Sequence, residues 1–573
     1  MLNRRQQRER RASNPLASFV SFRANISAIL GVLLLVATAL VASVPPPATP
    51  KRGGTLRVAW RTDPQWLDPA LVSDYFNMPL TRLCYQGLLD YDEGDNLVPW
   101  LAEAMPTLSP DHRTYTFRLR KAVRFSNGRE LVAEDFVYTL ERSLNPQTES
   151  PYQSFLLNIA GAREFQEARS NEVASAGVGG QSVSRRWIEP VHVAGLRASD
   201  RYTLAIRLVE PEPPFLLYLT MPLCFVVPRE EVEKPDTTFA SHPVGVGPFL
   251  LKEWRRGARL RFERNPQYYL PGQPWLDAVE VMIGPDEATA QMMFERGELG
   301  LVLEINPGDF VRLTRDPKWR GHLRSRLMDA TKFMTLNCEL PPFTDVRVRQ
   351  AMNFAVDKDR ILKLVNGRGQ VARGVLSPGT LGDPRRLADY SFNQAKAKQL
   401  LAEAGYTNGF PLTIWVALDY PDHRKIAQAV KHDLEQVGAS VEVKEVTTAA
   451  FTDQVMRRKT VQAAVVFFVW DYPDPSEFLD KFLGGDSLAD TGGLNWAFYS
   501  TPEYDGLLRK AAREIDRPQR LRLYEQAEKI AVADAPWLFL YHPMDYRLVQ
   551  PWVKGYQMHC VWQVRYEKLW IDK

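Results

Sequence analysis

Asp471 stands in Trp470-Asp471-Tyr472-Pro473-Asp474-Pro475, directly after the uncharged run Ala463-Ala464-Val465-Val466-Phe467-Phe468-Val469. A continuous apolar run of this length reads as a strand buried on both faces. In open α/β sheets, ligands bind outside the carboxyl ends of strands. A carboxylate held there among aromatic rings can pair with a cationic group of a ligand, and partial removal from water strengthens the pairing. The same residues also suit a plain turn, which Asp-Pro steps initiate. His423 is a second candidate, because its loop leaves the strand that carries Leu412, Ile414, Val416 and Leu418.

Motifs for catalysis are missing from the sequence. There is no GxxxxGK[ST] phosphate loop, no HExxH and no GxSxG nucleophile elbow. The eight histidines are scattered, with no pair at i, i+4. Cys84, Cys224, Cys338 and Cys560 lack metal-site spacing, and leave both free thiols and one structural bridge open. No cofactor and no metal are expected.

The elements that must position these residues follow from periodicity. Thr55 to Trp60 alternates as a strand, as do Tyr115, Phe117 and Leu119. Ala133 to Leu144 reads as a helix after the Asn127-Gly128 turn, and residues 170–184 read as an inserted loop. Asp357 and Asn393 are placed to cap helices. From Leu412 to Val469 the pattern is strand, helix, strand, helix, strand. Ile426, Val430, Leu434 and Val437 stripe the first of those helices. Gly245 and Gly247 in Val244-Gly245-Val246-Gly247-Pro248-Phe249 predict a tight backbone crossing.

The chain has 573 residues, 45% hydrophobic and 24% charged, an ordinary globular balance. Its net charge of +4 is owed to Arg4, Arg5, Arg8, Arg10, Arg11 and Arg23, so nucleic acid is not an expected partner. These arginines precede the uncharged run Ile26 to Val44. That is the pattern of a secretory signal peptide or a signal-anchor, and cleavage and retention both stay open. The Pro-rich linker 45–51 follows. The rest of the chain is expected outside the cytoplasm, in contact with the membrane through residues 1–44 if these are retained.

Ordered blocks along the body resemble the family 5 extracellular solute-binding proteins, the dipeptide, oligopeptide and nickel binders of ABC transporters. The blocks are Tyr85-Gln86-Gly87-Leu88-Leu89, Tyr115-Thr116-Phe117-Arg118-Leu119-Arg120-Lys121 with Phe125-Ser126-Asn127-Gly128, and Asn265-Pro266-Gln267-Tyr268-Tyr269. Pro342-Phe343-Thr344-Asp345-Val346-Arg347-Val348-Arg349 and Lys398-Gln399-Leu400-Leu401-Ala402-Glu403-Ala404-Gly405-Tyr406 continue the series.

The resemblance implies an α/β, bilobal periplasmic-binding-protein fold of type II, with an extra subdomain in the first lobe. Lobe I would comprise 52–85, 241–315 and 541–573, the extra subdomain 86–240, and lobe II 316–540. It implies a monomer that binds a short peptide or similar amine-bearing solute without catalysis and delivers it to ABC permease subunits. Asp471 matches the Asp that pairs with a peptide's α-ammonium, although Phe468 replaces the family Trp three residues earlier. The expected ligand-binding set is Asp471, Trp470, Tyr472, Phe468, Tyr75, Asn337, Tyr420, His423, Arg424, Asn495 and Trp496, with Arg424 the candidate for a carboxylate. A tethered solute sensor, a metal-chelate binder suggested by His423, and a peptide hydrolase are the alternatives.

Overall fold

One long strand holds the architecture together. In the computed structural model, which describes residues 49–72, 77–176, 192–234, 239–381, 384–559, 561 and 563–573, these strands are labelled β1 (Thr55–Trp60), β2 (Phe249–Arg255), β3 (Arg259–Arg264), β4 (Ala278–Ile283), β5 (Leu301–Val302), β6 (Ala330–Leu336), β7 (Phe410–Ala417), β8 (Ala439–Val446), β9 (Ala463–Val469) and β10 (Trp537–Val549). They form a sheet in the order β8-β7-β9-β6-β10-β5-β1-β4-β3-β2. The first half of β10 pairs with β6 and its second half with β5 and the strand Leu323–Leu327. The sheet therefore passes from one half of the body to the other through β10.

The series from Leu412 to Val469 folds as its periods predict. Helix α1 (Pro421–Glu435) joins β7 to β8, which pair in parallel, and β7 also pairs in parallel with β9. Ile426, Val430 and Leu434 are fully buried along one face of α1. Each such side chain contributes about 1.5–3 kcal/mol of burial. Ala463 to Val466 of β9 are buried, whereas Phe467 to Val469 are half-buried, so the strand emerges from the core as it approaches Asp471. Phe333 of β6 stacks on Trp537 of β10 with ring centroids 3.6 Å apart, a diagonal cross-strand pair that ties these two neighbouring central strands together on one face of the sheet.

Residues between Leu88 and Val226 build a separate hydrophobic core, to which Val246 and Tyr472 are added from elsewhere. The helix Ala133–Leu144 and the strand Thr114–Arg118 both belong to this segment. A Cβ on Gly245 would lie 2.2 Å from the Cys84 carbonyl oxygen, and one on Gly247 2.4 Å from the Cys84 carbonyl carbon. The predicted crossing is thus a real backbone contact, closed by the Gly247 N–H donating to the Cys84 carbonyl at 2.8 Å.

One expectation is corrected. The loop expected from Ser170 is helical up to Ala176, in the helix Ala162–Ala176. Its Ala, Glu and Arg residues favour a helix, and the Gly-rich part that follows lies outside the described residues. So does the apolar run 26–44. Among the described residues no helix is long and apolar enough to cross a membrane. Cys84, Cys224 and Cys338 are free thiols, while Cys560 lies outside the described residues.

Candidate functional site

β9 delivers Asp471 to a junction between the second half of the chain and the 86–240 segment. Trp470 turns back, its N–H donating to the Asp329 carbonyl at 3.0 Å and its ring packing 5.6 Å from Phe478. Tyr472 turns the other way and enters the 86–240 core, 5.0 Å from Tyr218 and 5.9 Å from Phe155. Between these two anchors Asp471 is half-buried and accepts a hydrogen bond from the Tyr152 hydroxyl at 3.3 Å. Burial pushes its carboxyl up to about 6, against the pull of the nearby Lys481 ammonium and the Tyr152 bond.

The neighbouring acid has a different task. Asp474 accepts two bonds from Arg520, at 2.8 and 2.5 Å, and another from the Ser476 backbone N–H at 3.0 Å. It fixes the turn after Asp471. A small, partly open pocket of about 10 Å³, room for about one water molecule, lies beside the end of β9, lined by Val469, Asp329, Met328, Asp545, Met558 and His559 among others. Near it, Asp95 ties Arg326 (2.5 Å) and His559 Nε2 (2.7 Å) together, so three separate segments of the chain meet there.

The other sequence candidates divide by which end of the sheet they occupy. Tyr420 and His423 follow the carboxyl end of β7, which runs parallel to β9, and so share the Asp471 end. Tyr420 is exposed and stacks on His423 at 4.7 Å. His423 is buried, its Nε2 2.6 Å from Lys332 Nζ. Burial, reinforced by that cation, pushes the imidazole down to about 2, and burial brings Lys332 down to about 7. Arg424 is exposed on α1 and paired with Glu445 at 3.0 Å.

Asn337 lies at the opposite end of the sheet, because β6 runs antiparallel to β9 and Leu336 pairs with Ala463. Both ends of its amide serve the backbone, to Val461 and Glu339. Asn495 is buried and likewise braces the backbone of Gly484 and Tyr499. Phe468 stacks on Phe482 at 3.9 Å and meets Trp496 edge-on at 4.9 Å. Tyr75 lies outside the described residues. Sequence reasoning missed Tyr152, Glu477 and Lys481. The latter two were legible only as charges interrupting the apolar Phe478, Leu479 and Phe482. Among the described residues no three His, Cys, Asp or Glu side chains gather to hold a metal ion.

A bridged α/β body with an acid at a strand end is the build of a ligand-binding protein. The model for "Bacterial extracellular solute-binding proteins, family 5 Middle" matches residues 96–490. The chain belongs to this family. It is 30% identical over 541 residues to the periplasmic oligopeptide-binding protein OppA of Escherichia coli K12, covering 92% of this chain and 94% of that one. It is also 30% identical over 492 residues to heme-binding protein A of Haemophilus influenzae, covering 82% and 84%. The periplasmic binding protein DppA of Helicobacter pylori, solved with the peptide STSA, superposes with a TM-score of 0.73 at 26% identity, covering 91% of this chain and 99% of that one. The fold is accordingly the type II periplasmic-binding-protein fold. These relatives are binding proteins rather than enzymes.

Proposed function

We propose that this chain is the substrate-binding component of an ABC importer, and that it captures short peptides by their free amino terminus. One observation carries the reading: a partly desolvated carboxylate, Asp471, stands at a strand's carboxyl end and faces a hydroxyl from a separate core. In such a setting a peptide ammonium replaces water with a charge-assisted hydrogen bond. Backbone groups of the ligand are met by backbone groups of the walls, which gives affinity with little side-chain preference.

In this reading lobe I (52–85, 241–315 and 541–573) and lobe II (316–540) hinge about β10, and the 86–240 subdomain closes against the Asp471 turn. Tyr420 and His423 lie farther along the same sheet end. The closed monomer then docks on its permease outside the cytoplasm, and no bond in the ligand is broken.

Calorimetry with a library of free-amine tri- and tetrapeptides, and with the same library N-acetylated, tests it. Binding by the free-amine set that Asp471→Asn weakens by about ten- to a hundredfold, as loss of a charge-assisted hydrogen bond does, is the expected result. Equal binding of both sets, or turnover of the peptides, would remove the assignment.

A further inference from the structure

Asp471 has unusual company. The turn Glu477–Lys481 brings one more carboxylate, Glu477, and the Lys481 ammonium into its field, and sets a further carboxylate, Asp480, within reach of that ammonium. Glu477 is 1% exposed, and its Oε2 meets no hydrogen-bond partner. Asp480 accepts a bond from the Tyr524 hydroxyl at 2.9 Å. Glu212 reaches in from the 86–240 segment and is held by Asn158 at 2.9 Å. Arg520 is already engaged with Asp474.

The cation facing these acids is Lys481, and it rests on rings. Its Nζ is 3.0 Å from the Phe155 centroid, 5.5 Å from Tyr218 and 5.7 Å from Tyr472. Among the described residues no carboxylate comes within ion-pair distance of it, although Glu477, Asp471, Glu212 and Asp480 all attract it. The tyrosines Tyr152, Tyr218, Tyr472 and Tyr524 complete the titratable surroundings. Four acids therefore face one ammonium, with Glu477 buried and Asp471, Asp480, Glu212 and Lys481 half-buried. Unbalanced buried charge is costly, and acids in that position keep their protons instead.

We propose that this cluster is a proton reservoir coupled to ligand capture, in which Glu477 is a positioning residue acting through Asp471. An ammonium that arrives at Asp471 supplies the missing positive charge and drives one proton from the Glu477–Asp471 pair to solvent. The inference rests on the reading of Asp471 as the amine-binding group, and adds to it a second acid and a proton count.

The electrostatics agree. Burial holds Asp471 at about 6, and holds Glu477 at about 8 with the Asp471 charge adding to the rise. Burial likewise lifts Asp480 to about 7. Protons on such neighbours belong to the pair rather than to either acid. Since binding releases a proton, affinity must rise with pH, by at most about tenfold per unit for one proton, between roughly pH 6 and 8. Above about pH 8 the ligand's own α-amino group discharges and affinity falls again.

The test adds a free-amine tetrapeptide library to the full chain in weakly buffered solution at pH 7. Proton release is read with an indicator dye, and bound peptide is counted by mass spectrometry of the same sample. Roughly half to one proton per bound peptide is expected. Glu477→Gln should still bind peptide but release almost none, and Glu477→Asp should restore the release. Peptide bound by the native chain without proton release overturns the reservoir while leaving Asp471 in its role. No bound peptide, or equal binding of the N-acetylated library, overturns both readings.

Discussion

Asp474 and Arg520 are joined by two charge-assisted hydrogen bonds, and both side chains are buried. The acid three residues after Asp471 is thereby committed to holding the loop, which leaves Asp471 available to a ligand. Removing one partner of a buried ion pair strands the other charge and typically costs 3–5 kcal/mol. Arg520→Met should therefore destabilise the protein by about that amount. Chemical denaturation followed by tryptophan fluorescence measures it, and a loss below about 1 kcal/mol would make the pair an incidental contact.

Tyr152 offers a gentler probe. Its hydroxyl is the hydrogen bond that Asp471 receives from the 86–240 segment, and it helps keep that carboxyl ionised. Tyr152→Phe should leave the ring against Phe155 and change stability by about 1 kcal/mol or less. Affinity for a free-amine peptide should fall by roughly three- to tenfold near pH 6, where the charge on Asp471 is contested, and by less at pH 8. Calorimetry at the two pH values separates this from a simple loss of contact, which would be equal at both.

Much of this fold is legible in the sequence because local period and burial agree. Ile426, Val430 and Leu434 mark a helix, and Ala463–Val469 marks a strand, although only Ala463 to Val466 are buried as the apolar run predicts. Gly245 and Gly247 mark a place where two backbones touch. The position of Asp471 follows from the strand before it. What its neighbours do does not follow. Tyr472 looks like any aromatic beside a turn, yet it packs into a core more than two hundred residues away in sequence. Asn337 and Asn495 look like ligand-facing amides, and both brace backbone instead. Glu477 and Lys481 lie on an irregular turn of π-helical form, where neither the period of a helix nor that of a strand says which way a side chain points.

The glycine crossing gives a sharp stability test. A methyl group on Gly245 would sit 2.2 Å from the Cys84 carbonyl oxygen and 2.6 Å from the Tyr85 ring. Backbone on that side cannot rotate away, so Gly245→Ala should cost about 3 kcal/mol or more, or abolish soluble expression. Gly128→Ala provides the contrast. A methyl group there would meet no atom within 4 Å, so its cost is limited to the strain of a residue at φ 92°. Thermal unfolding of the two variants should rank Gly245→Ala well below Gly128→Ala, and the reverse order would mean that the crossing is loose.

Lys332 and His423 make the protein's stability depend on pH with a definite sign. Both are bases whose buried setting disfavours the charged form, Lys332 held at about 7 and His423 at about 2. The unfolded chain takes up their protons more readily than the folded one, so each costs stability as pH falls. The Lys332 cost builds from about pH 10 down to about 7 and is constant below that, while the His423 cost builds from about pH 6.5 downward. Lys332→Met keeps the apolar stem and removes the charge. It should stabilise the protein by about 1–4 kcal/mol at pH 7 and by little at pH 10. It should also lessen the decline below pH 6.5, since the lysine's charge helps hold His423 neutral. Denaturation midpoints from pH 5 to 10 decide the matter, and a gain that is equal across the whole range would trace to packing rather than to the buried charge.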